Sequence, residues 1–217
     1  MSRNLAFDLL GGGSVQIEPD DLLFAGFASR DPADAEHHRQ ELKEKGVVVP
    51  DTIPVCYRGL PSTLSQADVI ETQGRPLMGE VEFVVVESPS GLLVSTGVDL
   101  FDEVLEQTDI EGSKNQSATP IGKAALRLAE VRNDWDSFKL WMRLDGRLVQ
   151  EGSVAKMMEP ERLLELAGAA RGKADRALFV YSGSMPYIAP PSSGFTLVEF
   201  GLEGAGHRIT HQFRLTR

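Results

Sequence analysis

Gly79-Glu80-Val81-Glu82-Phe83-Val84-Val85-Val86 is the stretch that decides how this 217-residue chain folds. Side chains alternate along a strand, so Glu80 and Glu82 share a face with Val84 and Val86, while Val81, Phe83 and Val85 take the other. Both faces are therefore at least partly buried. Two carboxylates side by side on a face that turns apolar repel each other unless a positive charge stands between them, and a hard divalent cation meets that need. Taken alone, the pair is better explained as two solvated glutamates at a strand end. The remainder of the chain must supply further ligands and a reactive pair for a site to be the better reading.

Working outward, Ser88-Pro89-Ser90-Gly91 is a turn and Leu92 to Asp99 pairs back on the first strand. Antiparallel pairing brings Asp99 to the beginning of the first strand, within reach of a cation at Glu80 and Glu82. Upstream, residues 3–18 form a hairpin around Gly11-Gly12-Gly13, placed at a sheet edge; without a Gly-x-Gly-x-x-Gly spacing or a following helix, these glycines are turn residues and not a phosphate loop. Leu22 to Ala28 is a short apolar strand. Asp31, Pro32 and Gly46 then bracket a helix over 31–46. Beyond alanine, Leu42 is the only aliphatic residue inside it, so it is expected to be peripheral or lid-like. His38 and Glu41 meet on one of its faces, a spacing suited to a general base, although a solvated helix is the better account of this segment by itself.

Ile53 to Arg58 is expected to be a strand entering the interior, and Leu100 to Leu105 carries helical spacing. Residues 111–119 form a polar loop bearing Lys114. Phe138 to Gln150 is a hairpin about Asp145-Gly146, and Glu159 opens an amphipathic helix running to about Gly172. Ala177 to Tyr181 is a strand, Ser182 to Gly194 a long loop of the binding-loop type, and Phe195 to Leu215 a terminal hairpin. His207 and His211 share a strand face at a spacing too long for an ordinary chelate, and with Trp135 and Trp141 they are read as structural.

Composition narrows the function. A formal charge of −10, with no basic cluster to offset it, argues against nucleic acid and anionic membrane as partners. The single cysteine, Cys56, excludes an internal disulfide and is expected to be a buried, inert thiol in a reducing compartment. No basic n-region followed by an apolar stretch opens the chain, and no apolar run reaches membrane length, so the expectation is a cytoplasmic protein of one domain over residues 1–217, with an N-terminal hairpin over 1–20.

The order of these pieces resembles the fumarylacetoacetase-like superfamily. His38-Arg39-Gln40-Glu41 is similar to its His-x-x-Glu helix, Tyr57-Arg58 stands where it has an aromatic residue and Lys, and Gly79-Glu80-Val81-Glu82 resembles its Glu-x-Glu metal motif. Val98-Asp99 resembles its Asn-Asp. Lys114 with Pro120-Ile121-Gly122 is similar to its Lys and Pro-hydrophobic-Gly segment, Leu144 to Gln150 to its hairpin ending in Gln, and Ser182-Gly183-Ser184 to its Gly-Thr loop. Each motif is weak, whereas their order is specific. Ala35 to His38 and Trp135-Asp136 are closest to a poorly characterised bacterial branch.

The resemblance implies an α+β, mostly β, fold: a mixed β-roll or sandwich with a few peripheral helices, assembled as a homodimer. It implies Mg²⁺ or Mn²⁺ held by Glu80, Glu82 and Asp99, with His38, Glu41 and Lys114 catalytic and Arg58, Tyr57, Ser184 and Tyr187 contacting a small-molecule substrate. The implied reaction is hydrolysis of a carbon-carbon bond in a 2-oxo or 1,3-dioxo acid through a metal-stabilised enolate. The same residues serve a decarboxylase, isomerase, dehydratase or cyclase, or a non-catalytic binder. Three departures point to a specialised substrate. Val98 replaces the usual Asn, Glu103 reverses the charge of a common Arg, and Met185 to Ile188 replaces a glycine-rich tail.

Overall fold

The computed structural model describes residues 4–89, 91–170, 177–191 and 194–217. Arg3, Ser90, Gly172 and residues 192–193, which the sequence assigns to the first hairpin, a turn, the end of a helix and the long loop, lie outside the described residues. The described residues form fifteen strands and five short α-helices. They are β1 (Leu5–Leu9), β2 (Ser14–Ile17), β3 (Asp21–Gly26), α1 (Pro32–Glu44), β4 (Val55–Gly59), β5 (Leu64–Ser65), β6 (Val69–Glu71), β7 (Leu77–Ser88) and β8 (Gly91–Asp102). After these come α2 (Glu103–Glu106), α3 (Ile110–Lys114), β9 (Thr119–Pro120), β10 (Ala124–Arg127) and α4 (Leu128–Val131). The chain ends with β11 (Lys139–Leu144), β12 (Arg147–Ser153), α5 (Pro160–Gly168), β13 (Leu178–Tyr181), β14 (Leu197–Gly204) and β15 (His207–Thr216).

The β7–β8 hairpin is the axis of the molecule. It sits in the middle of an eight-stranded mixed sheet of order β2-β1-β10-β8-β7-β13-β3-β4. Residues 81, 83 and 85 of β7 face a five-stranded sheet (β12-β11-β14-β15-β6), where Val81, Phe83, Val85, Val94 and Val98 pack with Leu140, Met142, Phe200, Leu202 and Ile209. The opposite face carries Val84 and Val86, with Phe7, Leu22, Phe24, Phe179 and Tyr181. Three strands separate β1 from β13 in the sheet, so Phe7 and Phe179 would lie about 19 Å apart if it were flat. Their ring centroids are 6.4 Å apart. The large sheet is therefore rolled on itself, enclosing a second core, and its outer face packs on the smaller sheet. This is the mixed β-roll and sandwich expected from the sequence. No helix among the described residues is long and apolar enough to cross a membrane.

Local chemistry accounts for most boundaries. Asp31 caps α1 by accepting from Ala33 N (2.8 Å), Pro32 occupies the first turn, and only Ala35 of the helix is buried, in line with its expected peripheral character. β1 and β2 form the expected edge hairpin, although β1 also pairs in parallel with β10. Three expectations need correction. β4 is an edge strand and not an interior one, so Cys56 is half-buried; burial still pushes its thiol up to about 11. Leu100 and Phe101 continue β8, because Leu77 and Met78 are available to pair with Asp102 and Phe101, and the helix begins only at Glu103. The loop expected to carry Lys114 contains α3, capped by Asp109 accepting from Gly112 N (2.8 Å).

Candidate active site

Pairing in the central hairpin sets Glu80 directly opposite Asp99 and Glu82 opposite Gly97, all on the inner face of the roll. Gly97 has no substitute there: a Cβ would lie 2.6 Å from Tyr181 Cε1 and 2.8 Å from the Pro120 carbonyl, which accepts the Tyr181 hydroxyl at 2.9 Å. Beyond β7, the chain leaves β13 at Gly183, whose positive φ of 78° and contact with the Ala25 carbonyl suit glycine. Its N–H donates to Glu82 Oε2 (2.8 Å). Glu82 and Asp99 are 2% and 1% exposed.

Lys114 closes the cluster from above. α3 delivers it over the inner face, with Nζ 5.4 Å from the Phe24 ring centre and 5.5 Å from that of Phe101, and it donates to Asp99 Oδ2. Burial works against its ammonium, but Asp99, Glu82 and Glu80 outweigh that cost and hold its pKa above the usual value. The carboxylates are affected in the opposite sense. Burial, opposed by Lys114 and reinforced by Asp99, pushes Glu80 up to about 8; burial and the neighbouring Asp99 also raise Glu82 well above the carboxylate range.

Three carboxylates thus face one ammonium, and Asp99 Oδ1 is buried without a hydrogen-bond partner. An oxygen-only set with unbalanced negative charge has the chemistry of a Mg²⁺ or Mn²⁺ site. Among the described residues no three acidic, imidazole or thiol groups already stand in coordinating positions, and the Lys114 ammonium is the cation at Asp99. The oxygen chemistry of the donor set suits such an ion, while the described geometry does not gather three donors about one point.

The other expected residues divide. Tyr57 stands opposite Phe24 on the inner face, its hydroxyl buried without a partner and pushed up to about 12 by burial. Tyr187 donates to the Gly79 carbonyl (2.5 Å), beside Glu80. Ser184 is fastened by Gln150, whose Nε2 donates to its hydroxyl (2.9 Å) and to the Met185 carbonyl (2.7 Å) while its Oε1 accepts from Val81 N (2.9 Å). Arg58 is not brought to the cluster: paired with Leu23, it takes the face opposite Tyr57 and is exposed. Nor do described contacts join His38 and Glu41 to the carboxylates. Those side chains are 55% and 50% exposed and 3.8 Å apart, and His38 packs on Phe27, which has a left-handed φ of 55° at the end of β3.

Two residues of the site were not among the sequence candidates. Gln150 was visible as the end of its hairpin motif. Glu106, on α2, lies within the electrostatic reach of Lys114, Asp99, Glu80, Tyr57 and Tyr187, and no pattern in the sequence marks it.

The rolled mixed sheet is the fold seen in solved structures of fumarylacetoacetate hydrolase family proteins. The structure is similar to a protein from Oleispira antarctica assigned as a fumarylacetoacetate isomerase/hydrolase (TM-score 0.66, 16% identity, 100% of both chains covered). It is also similar to 5-carboxymethyl-2-hydroxymuconate delta-isomerase from Mycobacterium smegmatis (0.63, 14%, 95% of this chain and 86% of that one). A third likeness is to 2-keto-3-deoxyarabinonate dehydratase (0.63, 16%, 92% and 75%). At these identities the likeness establishes the fold. By sequence the chain belongs to the family described as a protein of unknown function, DUF2848, whose model matches residues 25–212. No curated protein matches it.

Proposed function

We propose that this chain is a divalent-metal-dependent enzyme that breaks a carbon-carbon bond in a 2-oxo or 1,3-dioxo acid. The observation that carries the reading is the set of half-buried Glu80 with buried Glu82 and Asp99, an ammonium among them and Asp99 Oδ1 unpartnered. A Mg²⁺ or Mn²⁺ ion held by those three residues would supply Lewis-acid polarisation of the substrate carbonyl. Lys114 remains protonated and offsets negative charge developing on the substrate oxygen. The Tyr57 hydroxyl, also protonated near neutrality, is a free donor facing the same space. Gln150 holds the segment with Ser184 and Tyr187 against β7, so these side chains border the substrate. In the hydrolytic reaction His38 and Glu41 activate water when α1 closes over the site as a lid.

The exposure of that pair favours a second reading in which no water attacks: decarboxylation, isomerisation, dehydration or cyclisation through the same enolate. The isomerase and the dehydratase of similar fold agree with it. The working unit in either reading is a cytoplasmic homodimer, and light scattering on the purified protein checks the dimer. Glu82→Ala is expected to abolish both Mg²⁺ binding, measured by titration calorimetry, and turnover of a panel of acylpyruvates and oxaloacetate. Wild-type protein that binds no divalent ion near neutral pH refutes the metal reading, and ligand binding unchanged by chelation with no turnover identifies a non-catalytic binder.

A further inference from the structure

β4 ends the eight-stranded sheet: β3 pairs with one of its edges, and the backbone groups that alternate residues turn to the other edge must find partners elsewhere. Two side chains of the α3 segment take that place. Glu111 Oε2 accepts from Arg58 N (2.8 Å). Asn115 Oδ1 accepts from Leu60 N (2.8 Å), and its Nδ2 donates to the Arg58 carbonyl (2.9 Å) and back to the Glu111 carbonyl (3.1 Å). The Asn115 amide thus offers β4 one acceptor and one donor, as the main chain of a paired strand does. Arg58, whose side chain is kept from the cluster, takes part through its backbone.

Lys114 stands between these two side chains in sequence. A helix of five residues does not hold its own position in water, so the β4 edge is a fixed reference for α3. Residues 111 and 115, one turn apart, share the side that meets β4. Lys114 is turned inward from it, buried and donating to Asp99. On the strand, Tyr57 takes the inner face and stands opposite Phe24, whose ring centre lies 5.4 Å from Lys114 Nζ. Gly26 makes room for the tyrosine ring, since a Cβ there would lie 2.6 Å from Tyr57 Cε2.

We propose that Glu111 and Asn115 are positioning residues that stand in for a neighbouring strand, latching α3 to the edge of β4 and holding Lys114 and Tyr57 in fixed register on the inner face of the roll. The catalytic consequence rests on the roles given above to Lys114 and Tyr57, whereas the latch itself stands on the contacts between α3 and β4. Glu111 acts as a hydrogen-bond acceptor and not as a charge, so an amide of the same length replaces it.

The test is acetylation of the purified protein by an N-hydroxysuccinimide ester, followed lysine by lysine with mass spectrometry. Lys114, 8% exposed, reacts when α3 lifts from β4. Glu111→Ala and Asn115→Ala are expected to label Lys114 about 10-fold faster or more, each having lost a charge-assisted bond or a pair of neutral ones. Glu111→Gln keeps an acceptor for Arg58 N and stays near the wild-type rate, and the exposed Lys139 labels alike in every variant. Amide hydrogen exchange should quicken at Arg58 in Glu111→Ala and at Leu60 in Asn115→Ala. In turnover, Glu111→Ala lowers kcat more than it changes KM, and Glu111→Gln restores it. Wild-type labelling of Lys114 in the folded alanine variants, or equal labelling in Glu111→Ala and Glu111→Gln, overturns the latch. Faster labelling with wild-type kcat overturns the positioning role. Protein that turns over no 2-oxo or dioxo acid overturns the enzyme reading, and labelling and amide exchange then decide the latch independently.

Discussion

Replacing Lys114 by methionine keeps most of the side-chain volume and removes the ammonium bonded to Asp99 within the carboxylate cluster. Lys114 and Asp99 form a buried pair, 8% and 1% exposed. Removing one member of such a pair costs about 3–5 kcal/mol, because the remaining charge is stranded out of water. For a chain of this size each kcal/mol moves the melting temperature by about 2–4 °C, so Lys114→Met is expected to melt roughly 10 °C below wild type in metal-free buffer. The pH dependence has a definite sign. Glu80 titrates at about 8 in the folded protein against an ordinary 4.5, so between these values the native state retains a proton that the unfolded chain releases. Stability therefore falls as pH rises through this window, and more steeply in the variant, whose carboxylates have lost their cation. The deficit should be small near pH 5 and large near pH 8. If the cluster is a cation site, Mg²⁺ at 100 times its dissociation constant adds about 2.7 kcal/mol to wild type. Calorimetric melts from pH 5 to 8, with and without Mg²⁺, measure all of these quantities. A metal-free Lys114→Met protein within about 1 kcal/mol of wild type at pH 8 refutes the electrostatic account.

Gly97→Ala places a methyl group 2.6 Å from the Tyr181 ring and 2.8 Å from the Pro120 carbonyl, displacing the Tyr181 hydroxyl bond. The expected loss is about 1–3 kcal/mol by urea denaturation. Gln150→Leu leaves the Val81 N–H and the Met185 carbonyl without their partner, at a cost of about 2–4 kcal/mol. Limited proteolysis should also show faster cleavage within residues 182–191, where the wild-type loop is fastened to the hairpin.

Much of the fold is legible in local pattern. The alternation from Glu80 to Val86, the turn at 88–91 and the apolar return strand place Asp99 opposite Glu80 without any knowledge of the other strands, because pairing in a hairpin follows from its turn and pleat. The cap at Asp31, the Asp145-Gly146 hairpin and the peripheral character of α1 are likewise properties of short segments. Arg58 could have been placed from the same rule: next to Tyr57 on a strand, it must take the other face.

Other features depend on contacts distant in sequence. The helical spacing of Leu100 to Leu105 conflicts with the extension of β8 to Asp102, and pairing with Leu77 and Met78 settles the conflict in favour of the strand. α2 and α3, four and five residues long, are too short to leave a periodic signature or to stand alone, and their packing against each other and β8 holds them. Sequence alone determined which carboxylates share a strand face. Tertiary structure decided which side chains surround them: rolling the sheet brings Phe7 to Phe179, and the fold of α2 and α3 over its inner face sets Lys114 on Asp99 and Glu106 beside them. Strand alternation is dictated by each residue's own backbone, whereas burial, and with it the charge state of Glu80, Glu82 and Glu106, is created only when distant segments exclude water together.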